Sequence, residues 1–152
     1  MVEPQIRAAR HDETQLLSDL AFRSKAHWGY DDTFMAACRE ELTVTAGGIA
    51  RCPTFVYGNG TARGFYQLTF ADKTADVALL FVDPPAIGRG VGRELWRHLV
   101  AQARHACAAS ITIEADPDAE GFYLRMGAIR VGTAPSASIR DRQLPLLAFA
   151  ID

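Results

Sequence analysis

The stretch Val82-Asp83-Pro84-Pro85-Ala86-Ile87-Gly88-Arg89-Gly90-Val91-Gly92-Arg93-Glu94-Leu95 decides how the rest of the chain is read. Before it, residues 75–82 are almost wholly apolar and read as a strand, which the Pro84-Pro85 pair ends because neither proline can donate to a ladder. After it, Val91, Leu95, Leu99, Val100 and Ala103 recur at helical spacing, with Arg93, Glu94, Arg97 and His98 on the other side. A helix is therefore expected from residue 88 to about 106. Alternating glycines thus open a long helix directly after a strand. Glycine lets the backbone come close to a ligand, and a helix start offers unpaired N–H groups at the positive end of its dipole. The turn is suited to a phosphate or pyrophosphate.

Working outward, residues 6–9 are strand-like, and His11-Asp12-Glu13-Thr14 begins a first helix with Leu16, Leu17, Leu20, Ala21 and Trp28 at helical spacing. Gly29 interrupts it. Asp31-Asp32 is expected to cap a second helix reaching about Glu41, with Phe34, Met35 and Cys38 on its apolar side. Strands follow at 54–57 and 64–70, joined by a turn at Gly58-Asn59-Gly60, and the Ala71-Asp72-Lys73 turn leads into strand 75–82. Downstream come a strand at 110–114, a short helix at 117–126, and strands at 128–132 and 144–151, with 133–142 the most loop-like segment. No repeat or long linker divides the chain, so residues 1–152 are expected to form one α/β domain of the α+β type.

Composition agrees with a globular domain. The chain has 152 residues, 16 Lys and Arg against 18 Asp and Glu, a net charge of −2, and 49% hydrophobic content. A chain of that length buries roughly 68–70% of its unfolded surface, enough for a core without staples. The longest apolar runs, six residues at 77–82 and again at 146–151, are far short of the roughly 18 residues of a membrane span, so no membrane partner is expected. Near-neutral charge without a basic stripe argues against nucleic acid. Residues 1–10 lack an apolar signal segment, which makes the cytoplasm the expected compartment and the Asn59-Gly60-Thr61 sequon a turn, not a glycosylation site. Cys38, Cys52 and Cys107 are widely spaced and read as reduced thiols. His98, His105 and Cys107 share one helix with no further ligand in view, so no metal is expected.

Three phosphate-binding turns compete for residues 87–92. A P-loop needs a Gly-Lys pair, and the chain has none. A dinucleotide-binding turn would follow its strand tightly, whereas Asp83-Pro84-Pro85-Ala86-Ile87 intervenes here; Glu114, about 20 residues on, keeps that reading open as a ribose-binding acid. The third is the acetyl-CoA motif [RQ]-x-x-G-x-[GA]. Ile87-Gly88-Arg89-Gly90-Val91-Gly92 resembles it, with Ile87 in place of the usual Arg or Gln. A second match stands one helix and one strand later: Asp116-Pro-Asp-Ala119-Glu-Gly-Phe122-Tyr123-Leu-Arg-Met-Gly127-Ala128 is similar to N-x-x-A-x-x-F-Y-x-x-x-G-F, with Asp116 for Asn and Ala128 for Phe. On these two motifs in this order, the chain is identified as resembling the Gcn5-related N-acetyltransferase (GNAT) family.

The resemblance implies a twisted, mixed, mostly antiparallel sheet flanked by helices, the acyl-CoA N-acyltransferase fold, splayed where acetyl-CoA enters. It implies direct transfer of acetyl from acetyl-CoA, as cosubstrate, to a primary amine on a small molecule or a protein, without an acyl-enzyme. Leu80, Phe81 and Val82 would bind the pantetheine arm, the stretch Ile87, Gly88, Arg89, Gly90, Val91 and Gly92 the pyrophosphate, and Asp116 and Phe122 would complete the cofactor site. Tyr123 would protonate the departing thiolate, since a phenol and a thiol have similar proton affinities. Asp76 falls at the position of the family's glutamate base, with His27, Tyr30 and Asp31 as alternatives. His27, Trp28 and Tyr30 would wall the acceptor pocket. A homodimer is a further expectation. A non-catalytic acyl-CoA-binding module would carry the same cradle.

Overall fold

The computed structural model describes residues 6–58 and 61–152. The Asn59-Gly60 part of the expected turn, and the first five residues of the N-terminal stretch, lie outside them.

Strand β1 (Ile6–Ala8) leads through a 3-10 turn at His11–Glu13 into helix α1 (Thr14–Ala26). Glu13 is buried at this join, where the two terminal Arg7 guanidinium nitrogens, Nη1 and Nη2, donate to its carboxylate at 2.8 Å and the Arg10 backbone N–H does the same. Leu17, Leu20 and Ala21 are buried as their spacing requires; Leu16 and Trp28 are exposed, and Trp28 lies past the helix end. Helix α2 (Asp32–Cys38) is capped by Asp31, whose carboxylate accepts from the Phe34 N–H at 2.8 Å. It stops at Cys38, short of Glu41: residues 39–42 continue as turns, with Arg39 and Thr43 making tighter bonds to the carbonyls three residues back, and Leu42 and Val44 enter the core. Helix α3 (Ala46–Arg51) was not anticipated. Its Gly47-Gly48 pair is a poor helix former, and the Thr45 hydroxyl secures the start by accepting from the Gly48 N–H at 3.0 Å.

Strands β2 (Thr54–Tyr57), β3 (Gly64–Ala71) and β4 (Thr74–Val82) follow, then a 3-10 turn at Pro84–Ala86 and helix α4 (Val91–His105). That helix starts at Val91 and not at Gly88, because Gly88 and Gly90 both take left-handed backbone angles. Strand β5 (Ser110–Glu114), helix α5 (Glu120–Arg125), and strands β6 (Ile129–Pro135) and β7 (Gln143–Ala150) complete the order. The sequence placed α5 from residue 117, but residues 117–119 form turns; it ended β6 at 132, but pairing with β7 carries the strand to Pro135.

The strands form one seven-stranded sheet in the order β1-β2-β3-β4-β5-β7-β6. Neighbours are antiparallel except β4 and β5, which run parallel and pair only over Thr74–Asp76 against Ser110–Thr112. Beyond Asp76 the two strands part. In the same stretch Gln67 pairs with Leu79 but Leu68 pairs with Val77, leaving Ala78 as a bulge. The extra residue inverts the side-chain alternation of β4. Ala75 and Val77 pack with α4 and α5 on one face; after the bulge Leu80 and Val82 do so, while Leu79 and Phe81 face α1 and α2. Apolar cores cover both faces. Val91, Leu95, Trp96, Leu99, Val100 and Ala103 on α4 are all buried, at roughly 1.5–3 kcal/mol for each large side chain fully removed from water.

Candidate active site

The splay between β4 and β5 opens a cavity of about 610 Å³. One end is the glycine turn. Gly88 and Gly90 have φ of +81° and +85°, conformations that a β-carbon disfavours, and nothing lies within 4 Å of where a β-carbon would stand on either. The space above the turn is therefore open. The backbone N–H groups of Gly88, Gly90, Val91, Gly92 and Arg93 donate to no carbonyl among the described residues. Five amides at the start of a fifteen-residue helix form a cradle for an anion. Arg93 on the first turn of α4 and Arg125 at the end of α5 line the same cavity. They supply positive charge that Ile87, exposed at the motif's first position, does not. Neither arginine was singled out from the sequence, where each reads as an ordinary helix-surface cation.

Along the middle of the cavity run residues 77–82 of β4 and Ile113 to Asp116 after it on the other side. Leu80, Phe81 and Val82 line the gap, and the β4 edge beyond Asp76 has no β5 partner, so its polar groups face the space. Tyr123, from α5, closes this part. It is 5% exposed, packed edge-on against Trp96 and Phe122. Its hydroxyl bonds to no other described residue, yet no enclosed side-chain polar atom among those residues lacks a partner, so the hydroxyl opens to the cavity it lines. Burial, helped by the negative charge of Asp76, pushes the Tyr123 phenol well above its ordinary range.

Asp76 itself does not line the cavity; its Oδ1 accepts from the Thr112 hydroxyl at 2.8 Å across the β4–β5 pair. Glu114, at the end of β5, does line it and is exposed. The far end of the cavity is walled by Ser24, Lys25, Trp28, Glu41 and Leu42. Of the expected acceptor residues, Trp28 is in this wall, and His27 stands behind it, exposed and edge-on to Trp28 at 5.2 Å. Tyr30 is also behind the wall, where its hydroxyl donates to the Asp116 carboxylate at 2.9 Å. Asp31 is taken up as the α2 cap.

The remaining reactive groups are held elsewhere. Cys38 is buried, which pushes its thiol up. His98 bonds through Nδ1 to the buried Tyr66 hydroxyl at 2.8 Å, and burial lowers its proton affinity. Among the described residues no three His, Cys, Asp or Glu gather as a metal site, and no helix is long and apolar enough to cross a membrane.

The sequence profile of the acetyltransferase (GNAT) domain matches residues 31–136, which include the glycine turn, the splay and Tyr123. The chain belongs to the GNAT acetyltransferase family. No curated protein sequence matches it. Solved structures share the GNAT fold across nearly its whole length at low identity. A GCN5-related N-acetyltransferase from Rhodopseudomonas palustris is 19% identical, with a TM-score of 0.79 over 99% of this chain and 97% of that one. The PaiA N-acetyltransferase from Thermoplasma acidophilum, in complex with coenzyme A, is 14% identical, with a TM-score of 0.79 over 98% and 99%. The ribosomal-protein-S18-alanine N-acetyltransferase from Escherichia coli is 17% identical, with a TM-score of 0.72 over 98% and 94%. The mixed, mostly antiparallel seven-stranded sheet flanked by helices is thus the acyl-CoA N-acyltransferase fold.

Proposed function

We propose that this GNAT domain transfers the acetyl group of acetyl-CoA directly to a primary amine within a ternary complex. The observation that carries the reading is that one cavity joins a cradle of backbone amides with no carbonyl partner, those of Gly88 and of Gly90 to Arg93, to the hydroxyl of the largely buried Tyr123. The cradle and the two arginines would hold the phosphates, and the unpaired edge of β4 from Leu80 to Val82 would hold the amides of the pantetheine arm. Val91 contributes its backbone only, since its side chain is buried in the core, and the exposed Arg89 side chain does not line the cavity.

In the reaction, the amine nitrogen attacks the thioester carbonyl, a C–N bond forms, and the C–S bond breaks. The departing thiolate takes the Tyr123 proton. A phenol held protonated by its surroundings keeps that proton across the neutral range until a thiolate appears beside it. The ammonium of the acceptor must first lose a proton. Glu114 is the carboxylate best placed to take it: of the other carboxylates lining the cavity, Glu41 and Asp116 pair with Lys25 and Asp118 lies against the Tyr30 hydroxyl, while Asp76 is occupied by Thr112 and reaches the site only through its field on Tyr123.

The acceptor is a small-molecule amine or a protein amine. Among the solved relatives, the Escherichia coli enzyme is named for a ribosomal protein's alanine, and another GNAT structure is that of a phosphinothricin N-acetyltransferase by description. The test is Tyr123→Phe in a thiol-release assay over a panel of primary amines. Turnover falls by about two orders of magnitude with acetyl-CoA affinity held within about threefold. An unchanged turnover removes Tyr123 from the chemistry, and a wild-type protein that binds acetyl-CoA but acetylates no amine is a binding module.

A further inference from the structure

Asp116 lines the cavity along with the wall residues Lys25 and Trp28, and three donors of the protein itself engage its carboxylate. Oδ1 accepts from the Asp118 backbone N–H at 2.8 Å, Oδ2 pairs with Lys25 Nζ at 3.2 Å, and the Tyr30 hydroxyl lies 2.9 Å from both oxygens. Arg142 Nη2 donates to the Tyr30 oxygen at 2.9 Å and lies 3.8 Å from Asp116 Oδ2. A phenol has one proton to give; Asp116, at 2.9 Å, is closer to it than Asp118 Oδ2, at 3.2 Å, so the proton goes to Asp116 while the phenol lone pair takes the guanidinium. Behind this pair Tyr30 and Phe34 stack at 4.0 Å, with Arg142 over both rings at 5.3 and 4.8 Å. The end of α1, its connection to α2, the β5–α5 loop and the β6–β7 loop meet at one carboxylate. The Lys25 and Asp116 side chains are only 12% and 16% exposed, so losing either partner leaves a desolvated charge on the other.

We propose that Asp116 is a positioning residue for the acceptor side, tying the wall of Lys25, Trp28 and Glu41 to the β5–α5 loop, and not a ligand of the pantetheine arm. The role of that wall rests on the acetyltransferase reading above. An asparagine in this position offers an N–H donor; the carboxylate offers none, and three protein donors, the Asp118 N–H, Lys25 and the Tyr30 hydroxyl, already engage it. The wall is therefore shaped before the amine arrives.

The test uses Asp116→Asn, which keeps the shape and removes the charge, and Tyr30→Phe, which removes only the phenol bridge. Both speed hydrogen exchange in residues 25–34 and 136–142 by about tenfold or more, leave residues 86–93 unchanged, and hold acetyl-CoA affinity within about threefold. For whichever of a diamine, an amino-acid amide and an arylalkylamine the wild-type protein turns over, Asp116→Asn raises the amine KM about tenfold with kcat little changed. Unchanged exchange in both variants, or a loss of acetyl-CoA affinity of about tenfold in either, overturns the proposal. If Asp116→Asn does not fold, Tyr30→Phe decides. A wild-type protein that binds no acetyl-CoA ends the acetyltransferase reading, while the exchange result still decides whether the clamp exists.

Discussion

Gly64 and Leu95 face each other so closely that a β-carbon on Gly64 would stand 2.9 Å from Leu95 Cδ1, and equally close to the carbonyl oxygen of Phe81. Leu95 could rotate away, but the Phe81 carbonyl is backbone and cannot. The missing side chain on β3 is what lets α4 lie against the sheet with its first turn over the end of β4. Gly64→Ala should therefore destabilise by about 1–3 kcal/mol and weaken acetyl-CoA binding together, because the same shift moves the glycine turn. Chemical denaturation and calorimetry on one sample check both.

At Gly90 the outcome separates. A β-carbon there meets nothing, but φ is +85°. Gly90→Ala should lower stability by only about 1–2 kcal/mol, from backbone strain. Acetyl-CoA affinity should fall by more than about tenfold, because the methyl group occupies the space the phosphates need. Equal, small losses at Gly64 and Gly90 would mean that the turn holds no ligand.

The two carboxylates near the chemistry should behave differently. Glu114→Gln lowers kcat/KM at neutral pH by about two orders of magnitude, and Asp76→Asn by less than about tenfold, with acetyl-CoA affinity kept in both. Steady-state rates with the best amine measure this. The reverse order would return the base to Asp76.

Glu13 gives the fold its clearest acid dependence. Its carboxyl is held down to about 2, from an ordinary 4.5, chiefly by the Arg7 hydrogen bonds and against the cost of burial. A depressed folded value means that the contribution is complete above 4.5 and is lost as the pH falls from there through about 2. Its size is of the order of 2–3 kcal/mol, and Glu13→Gln should remove it at neutral pH and flatten the acid limb of stability between those values. Denaturant midpoints across that range read the effect directly.

The strand and helix order was legible because the apolar period changes cleanly from 3.6 to 2 and back, and because two glycine-bearing motifs sit one helix and one strand apart. The glycine turn and Tyr123 could be named for that reason. The acceptor side was legible only in part: of His27, Trp28 and Tyr30, Trp28 lines the cavity and the other two stand behind it. Lys25, Glu41 and Arg142 are ordinary surface types in sequence, up to 117 residues apart, and only the meeting of the end of α1 with three loops brings them together with Asp116, which its motif did single out. Helix α3 was invisible because its glycine pair argues against it locally and only the Thr45 cap secures its start. Glu114 read as a candidate ribose ligand because the parting of β4 from β5, which turns it toward the cavity, leaves no mark in the order of residues.

On the proposed function, the Gly88 to Arg93 cradle and the β4–β5 splay hold acetyl-CoA. Calorimetric titration of acetyl-CoA into the purified protein, with NAD as control, tests it most directly. One site with a dissociation constant on the order of micromolar, and no heat from NAD, is the expected result. Binding of NAD in its place, or no acetyl-CoA binding up to about millimolar, would contradict it.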